Sequence, residues 1–428
     1  MSILAQYPPM GWNSWDCYGA AVTEAQVREN AEYMAGHLKP FGWEYVVVDI
    51  QWYQPTAQTH EYEPFSDECM DGYGRFVPAV NRFPSAANGA GFKPLADWVH
   101  SLGLKFGIHI MRGLPRMAAH HRLPIFGSDY DCAEVADPNS ICAWNPDMYG
   151  LRQDHPGAKD YYDSIFRLYA EWGVDFVKCD DIAREYPHCE REIELISEAC
   201  QGCGRDMVLS LSPGPAPLDR AEHLKKYANM WRITDDFWDE WRLLKGMFER
   251  AEKWCVHAGP GHWPDADMLP VGALRQCYAE DDDGGFFGER AHHGWTNFTE
   301  AEQRTMMTLW CMLRSPLMIG GEMTKNDDFT LSLLTNAAVL AIEKESWCAH
   351  PLTTTDAESI WIAPRKDGKG CYVAAFNLSD KARKISVDPA LVECGYTRAT
   401  ELWTGARPRK GLSARLAPHD AAVWKVEF

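Results

Sequence analysis

Unbroken apolar runs, each followed by an amphipathic stretch, recur along most of this chain and set the narrowest limit on its fold. They are 45–50 (YVVVDI), 105–110 (KFGIHI), 175–180 (DFVKCD), 207–212 (MVLSLS), 230–235 (MWRITD) and 314–320 (RSPLMIG). A strand with one wet face alternates apolar and polar residues. A run that does not alternate is buried on both faces, as in a parallel sheet. The stretches between carry helix signals. Thr23, Glu24, Ala25 and Gln26 form a capping box ahead of Val27, Ala31, Met34 and Leu38, and Thr299 with Glu302 opens a run to Leu313 in the same way. Gly103 and Gly173 stop helices expected over 93–102 and 158–172, and 190–200 and 218–227 read as two more. With strands at 10–15 and 255–258 there are about eight strand–helix units, the number that an α/β fold of the (β/α)8 TIM-barrel type requires. An open doubly wound sheet is the alternative, but no GxGxxG follows the first strand to give it a dinucleotide site.

Beyond residue 345 the pattern changes. Short runs at 359–364, 371–378, 384–387, 400–403, 412–416 and 421–428 are separated by Gly, Pro, Asp and Asn. That is the signature of a small antiparallel β-domain. A chain of 428 residues is long for one small domain and suits a barrel with a module attached. The expected organisation is a catalytic barrel over 1–345 and a C-terminal antiparallel β-sandwich over 346–428.

Charge narrows the partners. The net charge is −19 with no block of Lys and Arg, which argues against nucleic acid and anionic membranes. There is no 18-residue apolar stretch, and MSILAQYPPMGW has no basic segment leading into an apolar one. The expectation is a cytoplasmic protein with its 14 cysteines mostly reduced.

In a barrel, chemistry sits at the C-terminal ends of the strands. Here those ends carry Trp15 with Asp16, Asp49, His109, Lys178 with Asp180 and Asp181, Asp235 with Asp236, and Asp265 with Asp267. Carboxylates are rarely buried unless they are paired or used. Several at one mouth fit a glycosidase, in which two carboxyl groups flank the scissile bond. Lys178 and Asp180 are two residues apart on a strand, so both point into the mouth while Asp181 points away. The lysine keeps Asp180 ionised, as a nucleophile must be. Asp235 and Asp236 offer the acid, with Arg232 near enough to steady a carboxylate or clamp a hydroxyl. The 18 tryptophans pack the core or, beside carboxylates, stack on sugar rings.

Plainer roles compete with these. Lys178 and Asp180 also fit a structural ion pair, and Asp235 or Asp239 a cap for the following helix. The acidic stretch 280–283 fits a solvated loop, and His292 and His293 the surface. Asp265, Asp267 and His262 fall short of a well-spaced metal set. A Schiff-base role for Lys178 is disfavoured by its carboxylate neighbours.

The stretch 9–15 (PMGWNSW) resembles the opening motif of glycoside hydrolase family 27, the retaining α-galactosidases and α-N-acetylgalactosaminidases. The stretches 45–52 (YVVVDIQW), 174–180 (VDFVKCD), 231–241 (WRITDDFWDEW), 263–269 (WPDADML) and 314–317 (RSPL) resemble its later motifs, in the family's order. The resemblance implies a TIM barrel followed by an antiparallel β-domain, and double displacement with retention. It implies no cofactor and a small carbohydrate substrate, an oligosaccharide or glycoside, with a homo-oligomer as the one protein contact left open. It matches Asp180 to the nucleophile and Asp236, four residues after Arg232, to the acid/base. It matches Trp15, Asp49, Lys178, Arg232 and Asp267 to sugar contacts, with Met268 in the same motif and His109 where the family has a tyrosine.

Three departures bear on sugar recognition. Ile50 stands where a second aspartate usually follows the first, His109 replaces the tyrosine, and 210–216 (SLSPGPA) replaces a Cys-x-Trp segment. A fourth, Ile182, stands near the place of a cysteine that often forms a disulfide. The expected enzyme is α-galactosidase-like. The alternatives are an α-N-acetylgalactosaminidase or a β-L-arabinopyranosidase, the last because a sugar without a 6-hydroxyl suits Ile50. A non-catalytic sugar-binding barrel and a lysine-dependent lyase or aldolase are the readings from other classes.

Overall fold

The computed structural model describes residues 3–63, 66–277, 294–388, 392, 397–408 and 411–428. Eight parallel strands form the barrel: β1 (Met10–Asn13), β2 (Tyr45–Val48), β3 (Lys105–Met111), β4 (Phe176–Asp180), β5 (Val208–Leu211), β6 (Met230–Arg232), β7 (Trp263–Asp265) and β8 (Leu317–Ile319). Their order is β7-β6-β5-β4-β3-β2-β1-β8. The ring closes just past β7, where Leu269 N donates to Met318 O at 2.7 Å and Gly320 N donates to Leu269 O at 3.0 Å. Apart from Lys105 and Lys178, every residue in these eight strands is buried, which is why their sequences do not alternate.

Helices return the chain between strands as expected. Glu24–Tyr33 opens on the Thr23–Gln26 capping box and Glu300–Leu313 on the Thr299–Glu302 box. Pro156–Trp172 ends at Gly173 in the left-handed conformation, φ 84°, where a side chain is disfavoured. One strand lies elsewhere than the sequence indicated. Residues 255–257 are a short turn of helix closing Trp241–Trp254, and the seventh strand is Trp263–Asp265. It is three residues long and holds Pro264, which has no N–H for the ladder, so no apolar run marks it.

The C-terminal module has a five-stranded antiparallel sheet, β9 (His350–Thr354), β10 (Glu358–Pro364), β11 (Gly370–Asn377), β13 (Arg398–Glu401) and β15 (Ala421–Glu427), in the order β9-β10-β11-β15-β13. A second sheet pairs β12 (Arg383–Ser386) with β14 (Ser413–Leu416). The central strand β11 is buried along its whole length, and its two faces serve different cores. Cys371, Val373 and Ala375 pack with Ile385, Leu412 and Leu416 between the sheets. Tyr372, Ala374 and Phe376 join the barrel core. The period of two along a strand makes one β-strand the seam between the two units.

No described helix is long and apolar enough to cross a membrane, and the described cysteines form no disulfide with one another. Thr23→Ala removes the hydroxyl that caps the first barrel helix. Its expected cost is about 1 kcal/mol, seen as a lower urea midpoint at unchanged slope.

Candidate active site

At the C-terminal mouth, Trp15, Asp49, Lys178, Asp180, Arg232, Asp236, Asp267 and Met268 line one cleft. Two charged clusters form its walls. The first is built across β1 to β4. Asp49 directly follows β2, and its Oδ2 accepts from Asn13 Nδ2 at 2.7 Å and Lys178 Nζ at 2.9 Å. Lys178 Nζ lies 4.0 Å from Asp180 Oδ2. The same oxygen is 3.0 Å from His109 Nε2, and Asp180 Oδ1 accepts the Asp181 N–H at 3.0 Å. His109 and Lys178 are register partners on β3 and β4, so both side chains turn inward. A carboxylate only accepts, so His109 Nε2 carries the proton between them.

Burial alone would raise Asp180, but the His109 hydrogen bond and the Lys178 charge outweigh it and hold the carboxyl well below its usual range. Asp49 is lowered in the same way, its burial outweighed by Lys178 and His109. Burial also opposes the Lys178 charge, and Asp49 and Asp180 overcome it.

The second cluster turns on Arg232, the last residue of β6. Its Nη2 contacts Asp236 Oδ1 at 2.8 Å and Asp267 Oδ2 at 2.5 Å. Asp267 also accepts from Phe237 N at 2.7 Å and Met268 N at 2.6 Å. Burial pushes its carboxyl up to about 7, against the pull of Arg232 and with Asp236 and Asp265 adding to the rise. The two carboxyls paired by the sequence resemblance differ in access. The Asp236 side chain is 63% exposed and that of Asp180 12%, so one stands at the rim and the other at depth.

Some expectations need correcting. His109 is fully buried and lines no part of the cleft; it stands behind Asp180 and contacts that carboxylate. Neither Asp235 nor Asp239 caps a helix. Asp235 pairs with Arg184 at 2.9 Å, Asp239 forms a buried pair with Arg275, and Trp241–Trp254 starts at Glu240 with no side-chain cap. Ile50 is 1% exposed and belongs to the apolar core. The 210–216 segment supplies none of the cleft's described lining residues, and Gly214 touches the Arg232 and Thr234 carbonyls too closely to admit a Cβ. Residues 280–283, His292 and His293 lie outside the described residues. Among those described, no three His, Cys, Asp or Glu gather to hold a metal.

The sequence reading missed Tyr62, Phe237 and Trp238, which also line the cleft. The last two sit inside the WRITDDFWDEW stretch and were within its reach. Tyr62 comes from the loop after β2, where no periodicity marks it. Its ring stacks on Trp15 at 5.2 Å and 15°, with Trp144 behind it at 5.2 Å.

Comparison with known proteins fits this geometry. The family model for alpha galactosidase A matches residues 149–282, and that for the alpha galactosidase C-terminal beta sandwich domain matches 355–426. The crystal structure of a β-L-arabinopyranosidase of glycoside hydrolase family 27 from Geobacillus stearothermophilus has 52% sequence identity and a TM-score of 0.94, covering 99% of this chain and 97% of that one. A candidate α-N-acetylgalactosaminidase from Bacillus halodurans C-125 has 49% identity and a TM-score of 0.86, with both chains covered in full. A curated α-galactosidase from Oryza sativa subsp. japonica is 26% identical over 98% of this chain and 85% of its own. A barrel with this mouth, in this company, is a glycosidase. The chain belongs to glycoside hydrolase family 27.

Replacing His109 with Phe leaves Asp180 buried and removes the imidazole hydrogen bond, while that from Asp181 N stays. The expected result is a higher titration midpoint for that carboxyl, read by 13C NMR of labelled aspartate. A depressed folded pKa stabilises above the unfolded value, near 3.9 for Asp, and the gain is lost as pH falls through the folded value. The variant therefore gives up part of that stabilisation at neutral pH.

Proposed function

We propose that this glycosidase releases terminal β-L-arabinopyranosyl residues with retention. The observation that carries the reading is Ile50. The family's second carboxylate at the end of β2 is replaced by an apolar side chain packed into the core, so only Asp49 reaches the cleft from that point. If the missing carboxylate serves the 4- and 6-hydroxyls of galactose, its loss favours a pyranose of the same ring configuration without C6. The 52% identical arabinopyranosidase supports this choice over the sugar of the 26% identical galactosidases.

In this reading Asp180 attacks C1 from depth while Asp236 protonates the leaving oxygen from the rim. Asp236 then takes a proton from water, which attacks C1 and releases the sugar with its original anomeric configuration. Lys178 and Asp49 bind ring hydroxyls on one wall and Arg232 with Asp267 on the other, while Trp15 and Met268 meet the apolar face. His109 acts through Asp180 as a positioning residue. The catalytic unit is the barrel over 1–345, with the sandwich over 346–428 docked against it. The second reading is an α-galactosidase, favoured by the matched family model.

Initial rates on nitrophenyl β-L-arabinopyranoside, α-galactoside, α-N-acetylgalactosaminide and α-glucoside decide. A hydrogen bond to a charged group is worth about 1.5–3 kcal/mol, or roughly 10–100-fold. The arabinoside should therefore lead in kcat/KM by about tenfold or more, and Ile50→Asp should move the ratio toward the galactoside by a similar factor. Asp180→Asn should abolish turnover. Comparable kcat/KM on arabinoside and galactoside sinks the arabinoside reading. Turnover that survives Asp180→Asn sinks the nucleophile assignment.

A further inference from the structure

We propose that Asp16 is a sugar-binding residue: its carboxyl, set in the cleft wall beside Trp15 with no hydrogen bond from the described residues, takes a hydroxyl of the bound pyranoside. The inference deepens the proposed function and rests on that reading of the cleft as a pyranoside site.

Asp16 lines the cleft yet is only 4% exposed. Its Oδ2 is buried without a hydrogen-bond partner among the described residues. The other cleft carboxylates are provided for. Asp49 has Asn13 and Lys178, Asp180 has His109, and Asp236 and Asp267 share Arg232. The Asp16 backbone is anchored, since its carbonyl accepts the Arg275 N–H at 2.8 Å. The chain also makes room for the side chain. Gly320, just past β8, lies so close that a Cβ there would overlap Asp16 Oδ2. A buried polar atom left without a partner is costly, and native structures seldom keep one for nothing. Among the described residues no partner reaches it from the cleft side, and a pyranoside would fill the cleft with hydroxyls.

The surroundings favour the neutral acid. Burial is the main cause, followed by the negative charge of Asp267 beyond β7. Arg275 and Lys178 oppose it, and Asp236 beyond β6 adds to it. Cys17, the next residue, is also pushed up by burial. A protonated carboxyl both donates and accepts, which matches a hydroxyl. When alkali ionises it, the new charge faces Asp267 and Asp236, and binding weakens.

The test measures kcat and KM from pH 6 to 9 for the full chain, using whichever aryl glycoside the wild type hydrolyses best. Asp16→Leu should lower kcat/KM about tenfold, mostly through KM, as expected for one lost hydrogen bond. Gly320→Ala, which displaces the carboxyl, should also raise KM. Asp16→Asn keeps a donor and an acceptor, so it should hold KM at neutral pH but lose the alkaline rise in KM that the wild type shows. An unchanged KM in Asp16→Leu, with an unchanged melting curve, overturns the proposal. So does an alkaline rise in KM that is the same in Asp16→Asn as in wild type, and this second arm decides if the leucine variant does not fold. The preferred sugar is read from wild type alone, so an error there does not disturb the Asp16 comparison.

Discussion

The ammonium of Lys178, held between Asp49 and Asp180, is the contact on which the barrel mouth depends. It joins the end of β2 to the end of β4 across β3, which supplies His109 to the same carboxylate. Asp49, Asp180 and His109 are buried and the Lys178 side chain is only 12% exposed, so each would be costly alone. Removing one partner of a buried ion pair typically costs about 3–5 kcal/mol, because the other charge is left without compensation. The cluster therefore forms only when β2, β3 and β4 stand in the correct register. The same residues that define the mouth also penalise a slipped strand.

The second cluster is tied to the rest of the molecule through the helix Glu300–Leu313. Trp310 Nε1 on this helix donates to the Asp267 carbonyl at 2.9 Å. One turn and a half earlier on the same helix, Arg304 pairs with Asp420 and Thr305 donates to the His419 carbonyl. One face of a single buried helix thus braces the cleft while its start grips the C-terminal module. The sandwich is thus linked through one helix to a site to which its described residues contribute no lining.

Much of this was legible in the sequence, for reasons that differ by element. Strands buried on both faces announce themselves as unbroken apolar runs, and β2 to β6 were plain. β7 was not, because three residues with a proline at the centre carry no pattern. The period of two placed Lys178 and Asp180 on one side of β4, and the structure agrees. Periodicity gives a side and not a depth, so His109 could be turned inward yet not assigned a place behind Asp180. Asp235 and Asp239 read as caps because aspartate commonly caps helices, but nearby arginines offered them better partners. Tyr62 was beyond reach, since a loop side chain comes to a cleft by tertiary packing alone.

Tyr62 stacks on Trp15 at the wall of the cleft. Part of the indole face is therefore already covered by a flat partner from the same chain. For a ligand that displaced the tyrosine, the gain from Trp15 would be the difference between two stackings, not the full worth of one. Discrimination among such ligands would then fall to the polar contacts around the ring.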